Sequence, residues 1–238
     1  MAEETVSQEL RSASELRIVL LGRGRAGKSE AGNTILGRAE GRSGFSSSTV
    51  TECVKRAGEV SGRRVTVVDT PDLLHADRVE IERCVSLSAP GPHALLLVIP
   101  VCTKETIDSY CESIVEECCI SFDKVQELFG EKAVRNTMIL FTHWDYLRGR
   151  KIQQYIEEAG EELQQLVEKC GNRYHVLNNQ DRRDRTQVTQ LLDKIDNMVK
   201  GSGGCYIPNE IYQEVEERMR LKEQELNKKH KEELSRKE

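Results

Sequence analysis

Apolar residues along the chain fall into six short runs separated by stretches of helical spacing. Residues 17–21, 53–60, 64–69, 94–99, 137–141 and 173–177 are of strand length. Helical composition or periodicity fills the intervals at 30–36, at 75–87, through Ile107, Cys111, Ile114, Val115 and Cys118, and at 122–129, 152–167 and 188–199. Gly130 ends the fourth of these helices and Gly171 closes the fifth. Ser61-Gly62-Arg63 joins the second and third runs as a hairpin, while Ser88-Ala89-Pro90-Gly91-Pro92-His93 breaks the chain before the fourth. Strands alternating with helices imply a mostly parallel six-stranded sheet with right-handed crossovers and helices on both faces. Ligands of such sheets bind beyond the carboxyl ends of the strands.

The first strand runs into Gly22-Arg23-Gly24-Arg25-Ala26-Gly27-Lys28-Ser29, which fits the phosphate-cradling pattern G-x-x-x-x-G-K-S at every fixed position. Gly22, Gly24 and Gly27 remove the Cβ atoms that would keep main-chain N–H groups away from an anion. The helix opening near Lys28 adds its positive end. Lys28 is placed to reach the outer phosphates and to meet transition-state charge. The Ser29 hydroxyl is placed as a ligand to a bridging magnesium ion.

Other strand ends supply the partners such a loop needs. The third strand delivers Asp69 in Asp69-Thr70-Pro71-Asp72, the position of a water-mediated contact to the metal. The polar stretch 37–51 reads as a switch loop in which one of Ser47, Thr49 and Thr51 gives magnesium a second hydroxyl, Thr51 completing the set with Ser29 and Asp69. The fifth strand ends in Thr142-His143-Trp144-Asp145. Asp145 stands where a carboxylate would accept the guanine N1 and N2 hydrogens, or else caps a helix starting near Gly149. Asn178, after the sixth strand, is positioned for amide contacts to the base.

Composition narrows the partners. Of 238 residues, 32% are charged and the net charge is −5, which leaves no electrostatic footprint for nucleic acid. Eight cysteines without a repeated C-x-x-C pair, and no secretory signal, indicate a reduced, cytosolic chain. No run reaches the length of a membrane span, and Met-Ala at the start carries no myristoylation signal. Residues 1–14 read as a polar tail, 15–200 as the nucleotide-binding domain, and 201–238 as a Gly-rich linker followed by a charged helix. In that helix Tyr212, Met219 and Leu226 fall seven apart, a short coiled-coil hint on an otherwise solvated surface. The pattern is still running at Arg236-Lys237-Glu238, leaving room for more coiled coil or a membrane anchor beyond.

Together, residues 16–37, TVTEC at 49–53, VVDTPDLL at 67–74, LSAPGPHALLLVI at 87–99, ILFTHWDYL at 139–147 and VLNNQ at 176–180 resemble the GIMAP, or AIG-type, GTPases, relatives of septins and chloroplast import receptors. The resemblance implies a Ras-like P-loop GTPase fold and a switch that binds GTP or GDP with Mg2+. It implies triphosphate contacts from Arg23 to Glu30, a loop contact near Ser43, and base recognition by Thr142, His143 and Asn178. It also implies dimerisation across the nucleotide face, and a cytoplasmic protein that can sit peripherally on an organelle membrane. Two departures matter. The third motif reads DTPD rather than DTPG with no glutamine following to orient the attacking water, so GTP hydrolysis is expected to be slow. Residues 100–106 hold Lys104 but no arginine for catalysis in trans. A GTP-regulated scaffold without turnover therefore stands as the alternative.

Overall fold

The computed structural model describes residues 15–38, 51–72, 83–84, 86–102, 112–129 and 131–203. The N-terminal tail, Ser43, Ser47, Thr49, Lys104, Gly130, most of the helix expected at 75–87 and nearly all of the C-terminal extension lie outside them. In chain order the elements are β1 (Glu15–Leu21), α1 (Lys28–Leu36), β2 (Val54–Val60), β3 (Arg63–Asp69), β4 (Ala94–Pro100), α2 (Glu112–Phe129), α3 (Glu131–Arg135) and β5 (Thr137–Thr142). A 3-10 turn (Trp144–Leu147) follows, then α4 (Ile152–Glu158), α5 (Glu161–Lys169), β6 (Tyr174–Val176) and α6 (Thr186–Ser202).

The six strands form one sheet in the order β2-β3-β1-β4-β5-β6. Every neighbouring pair is parallel except β2 with β3, where Val60 pairs with Arg63 across a two-residue turn. Ser61 (φ 51°) and Gly62 (φ 77°) both take the left-handed conformation that matches the twist of a tight hairpin.

Alternation along the central strands divides the core into two layers. Val19, Leu21, Leu95, Leu97, Ile139 and Phe141 pack toward Ile114, Cys118 and Phe122 of α2 and toward α4 and α5. Ile18, Leu20, Leu96, Val98, Met138 and Leu140 pack toward α1 and toward Val188, Leu191 and Ile195 of α6. Burial on both faces explains why β1, β4 and β5 read as continuous apolar runs.

Three elements differ from the sequence reading. Residues 112–129 form one continuous helix rather than two. The single helix expected at 152–167 is two, because Gly160 (φ 101°, ψ 173°) turns the chain between α4 and α5. Cys102 is disulfide-bonded, where every cysteine was expected reduced. Unpatterned cysteine spacing carries no signal for pairing.

The Ser88–His93 break serves the edge of the sheet remote from the phosphate loop. Arg17 Nε donates to Gly91 O at 2.6 Å, and Arg17 N donates to His93 Nδ1 at 3.0 Å. Asn136 Nδ2 donates to His93 O at 3.0 Å. The segment thus clasps the N-terminal ends of β1, β4 and β5. Burial, reinforced by Arg17, holds the His93 imidazole down at about 4.

Candidate functional site

At the opposite edge, β1 ends in Leu21 and the chain turns through the loop 22–27 into α1. Gly22 has φ 139°, and a Cβ there would lie 2.7 Å from Val98 O, so only glycine lets the loop leave between β1 and β4. Gly27, at φ 85°, is the N-cap of α1. Thr142 fastens the loop from β5: its Oγ1 donates to Ala26 O at 2.7 Å and it is fully buried.

Inside this cradle Lys28 is 6% exposed, and its Nζ donates to Gly22 O at 2.9 Å and Arg23 O at 2.6 Å. Burial lowers its pKa from the ordinary lysine value, opposed by the carboxylates of Asp69 and Asp72. One position on, Ser29 Oγ donates to Asp69 Oδ2 at 2.5 Å across forty residues of chain. Asp69 is fully buried, and its Oδ1 has no hydrogen-bond partner. Burial pushes its carboxyl up to about 6, against the pull of Ser29 and Lys28. A hydroxyl and a carboxylate with an unsatisfied buried oxygen, beside an ammonium at a helix N-terminus, form an oxygen donor set that fits Mg2+ bound together with phosphate.

The remaining expected residues are placed as follows. Arg23 pairs with Glu117 of α2 at 3.1 Å, and Arg25 is exposed in the left-handed region (φ 63°). Glu30 lies in the first turn of α1, its carbonyl accepting from Thr34 Oγ1 at 2.9 Å. Thr51 is exposed, just ahead of buried Cys53. His143 (φ 56°) stacks on Tyr146 with centroids 5.8 Å apart, beside the half-exposed Trp144. Asp145 lies exposed within the 3-10 turn, so it does not cap a helix starting near Gly149.

Asn178 lies in the loop that follows β6. Its Oδ1 accepts from Gln180 N at 3.0 Å and Asp181 N at 3.3 Å, shaping the loop after β6. The neighbouring Asn179 is the one that reaches the site: its Oδ1 accepts from Thr34 Oγ1 of α1 at 3.0 Å, and its Nδ2 would be 3.5 Å from a Cβ on Gly27. Asp72, read from the sequence only as a departure in the third motif, also touches the loop, since its Oδ2 accepts from Gly24 N at 3.1 Å. The available signal was the carboxylate standing where the third motif ordinarily carries glycine.

A glycine-built anion cradle at the carboxyl edge of a doubly covered parallel sheet defines a P-loop nucleotide-binding α/β domain. The chain belongs to the AIG1 family, whose model matches residues 16–227. It is 37% identical over 216 residues to human GTPase IMAP family member 8, covering 86% of this chain and 30% of that protein. Immune-associated nucleotide-binding protein 9 of Arabidopsis thaliana is 32% identical over 222 residues, covering 87% of this chain and 62% of the relative. The chain thus spans less than two thirds of either relative. Among solved structures, Arabidopsis Toc33 in complex with GDP and Mg2+ superposes with a TM-score of 0.58 at 15% identity, over 85% of this chain and 91% of that one. A dimerisation-deficient mutant of Toc33 superposes with a TM-score of 0.60 at 15% identity, over 85% and 91% of the two chains.

Proposed function

We propose that this protein is a guanine-nucleotide switch that binds GTP and GDP with Mg2+ and hydrolyses GTP slowly. The observation that carries the reading is the buried constellation of Lys28, Ser29 and Asp69 in the cradle 22–27. Lys28 exchanges its two loop carbonyls for phosphate oxygens, and the loop N–H groups hold the same phosphates. Ser29 and Asp69 would hold Mg2+, and Thr51 is the described candidate for the switch hydroxyl. When bound, the ion neutralises charge between the outer phosphates. Toc33, solved with GDP and Mg2+, supports this choice of ligand by its likeness of fold.

His143 and Asp145 read the base. Thr142 acts one step back by anchoring the loop, and Asn179 steadies the junction of the loop with α1. The absence of glutamine after Asp72 in the sequence motivates the slow rate. Dimerisation across the nucleotide face would add catalytic groups from a second copy. Competition of GTP, GDP and ATP for a labelled guanine nucleotide, on wild type and Asp145→Ala, tests the reading. Guanine preference that collapses in the variant supports it; preference for ATP refutes it.

A further inference from the structure

Asp72 places a carboxylate on the phosphate loop itself. Its Oδ2 accepts from Gly24 N at 3.1 Å, and it contributes to the field that favours charged Lys28. The contact joins two points 48 residues apart, the first half of the cradle and the segment that leaves β3. Gly24 has no side chain between its amide and Asp72; even an added Cβ would stand 3.8 Å from that oxygen. Pro71, buried just before it, and Thr70, whose Oγ1 donates to Leu20 O at 2.7 Å, fix the chain that carries the carboxylate.

Polyphosphate entering this cradle meets it in sequence. On the nucleotide-binding reading the innermost phosphates would rest against the N-terminus of α1, where Gly27, Lys28 and Ser29 converge. A further phosphate would then lie toward the first half of the loop and the end of β3, which a hydrogen bond joins at Gly24 and Asp72. There Asp72 holds the Gly24 N–H and presents a negative charge. Building on the nucleotide-binding reading above, we propose that Asp72 makes the site discriminate against the third phosphate. A nucleoside diphosphate binds with the Asp72–Gly24 bond intact, whereas a triphosphate must displace the carboxylate. A glycine at position 72 would keep the backbone N–H and carry no charge. The same carboxylate thereby biases the switch toward its diphosphate-bound form.

The test is competition of GDP and the non-hydrolysable analogue GMPPNP, each with Mg2+, against a fluorescent GDP on the full chain. Wild type, Asp72→Asn and Asp72→Gly are compared after circular dichroism has confirmed folding. Asparagine keeps the volume and removes the charge; glycine removes the whole side chain. The expected result is that wild type prefers GDP and that both variants lower the GMPPNP-to-GDP ratio of dissociation constants by about 10- to 100-fold. GDP affinity itself should stay within about threefold of wild type. GDP binding with an unchanged ratio in both variants overturns the role of Asp72 and leaves the nucleotide reading standing. If wild type binds neither compound, the nucleotide reading fails and this inference falls with it.

Discussion

Replacing Gly22 with alanine separates the loop's backbone requirement from its ligand chemistry. The new Cβ would sit 2.7 Å from Val98 O, with Val98 C and N each at 3.6 Å, and the backbone stays at φ 139°. Val98 is in β4, held between β1 and β5, so the carbonyl cannot withdraw without loosening two strand pairings. The unfavourable φ costs about 1–3 kcal/mol, and forcing atoms into a packed centre costs about 1–3 kcal/mol more. A loss of about 2–6 kcal/mol is a large part of a domain's total stability. Urea unfolding followed by circular dichroism, with fluorescence of the single tryptophan Trp144 as a second probe, measures it. At a slope of about 2–3 kcal/mol per molar, the midpoint should fall by about 1–3 M. Gly24→Ala is the control: its Cβ meets nothing nearer than Asp72 Oδ2 at 3.8 Å, so its stability should stay within about 0.5 kcal/mol of wild type. A Gly22→Ala midpoint equal to wild type would refute the claim that loop geometry is fixed by the β4 backbone.

Other consequences are equally open to measurement. Arg185 Nη1 and Nη2 donate to Thr34 O at 2.5 Å and Ile35 O at 2.8 Å, at the C-terminal end of α1. Arg185→Leu should therefore cost about 2 kcal/mol in urea unfolding, through two charge-assisted bonds and the helix dipole. Buried His93 and His175 are each held at about 4 against an ordinary 6.5. Between pH 6.5 and 4 the unfolded chain takes up protons that these folded imidazoles refuse, so stability falls as pH falls through that window, by about 3 kcal/mol for each. Asp69, raised to about 6, acts in the opposite sense below pH 6 but is one group against two. His93→Gln should flatten the dependence of stability on pH in chelator. Ser29→Ala should weaken GDP binding by about tenfold in Mg2+ and leave it nearly unchanged in chelator.

The phosphate loop was legible because its requirements are local: a strand, glycines at fixed offsets, and a lysine-serine pair opening a helix. The strands were legible for a related reason, since burial on both faces leaves continuous apolar runs. Gly160 was not, because the apolar spacing of 152–167 carries across it and only its φ reveals the break. Asn178 and Asn179 are adjacent amides, and which one faces the loop depends on how the chain leaves β6 rather than on residue type. The Asp72–Gly24 contact depends on β3 lying beside β1, a pairing that sequence periodicity cannot register. His93 was legible as part of the break before β4, but not as the clasp it makes with Arg17 and Asn136.

The most direct test of the account is calorimetric titration of GDP with Mg2+ into wild type and Lys28→Ala. Lys28→Ala also removes the hydrogen bonds to Gly22 O and Arg23 O, so circular dichroism first confirms that the variant is folded and a change in affinity then reports on the ligand. The account predicts one site per chain in wild type and a loss of about 10- to 100-fold in affinity in the variant. Equal affinity in the two proteins, or no heat from wild type, would contradict the assignment of this loop as a nucleotide site.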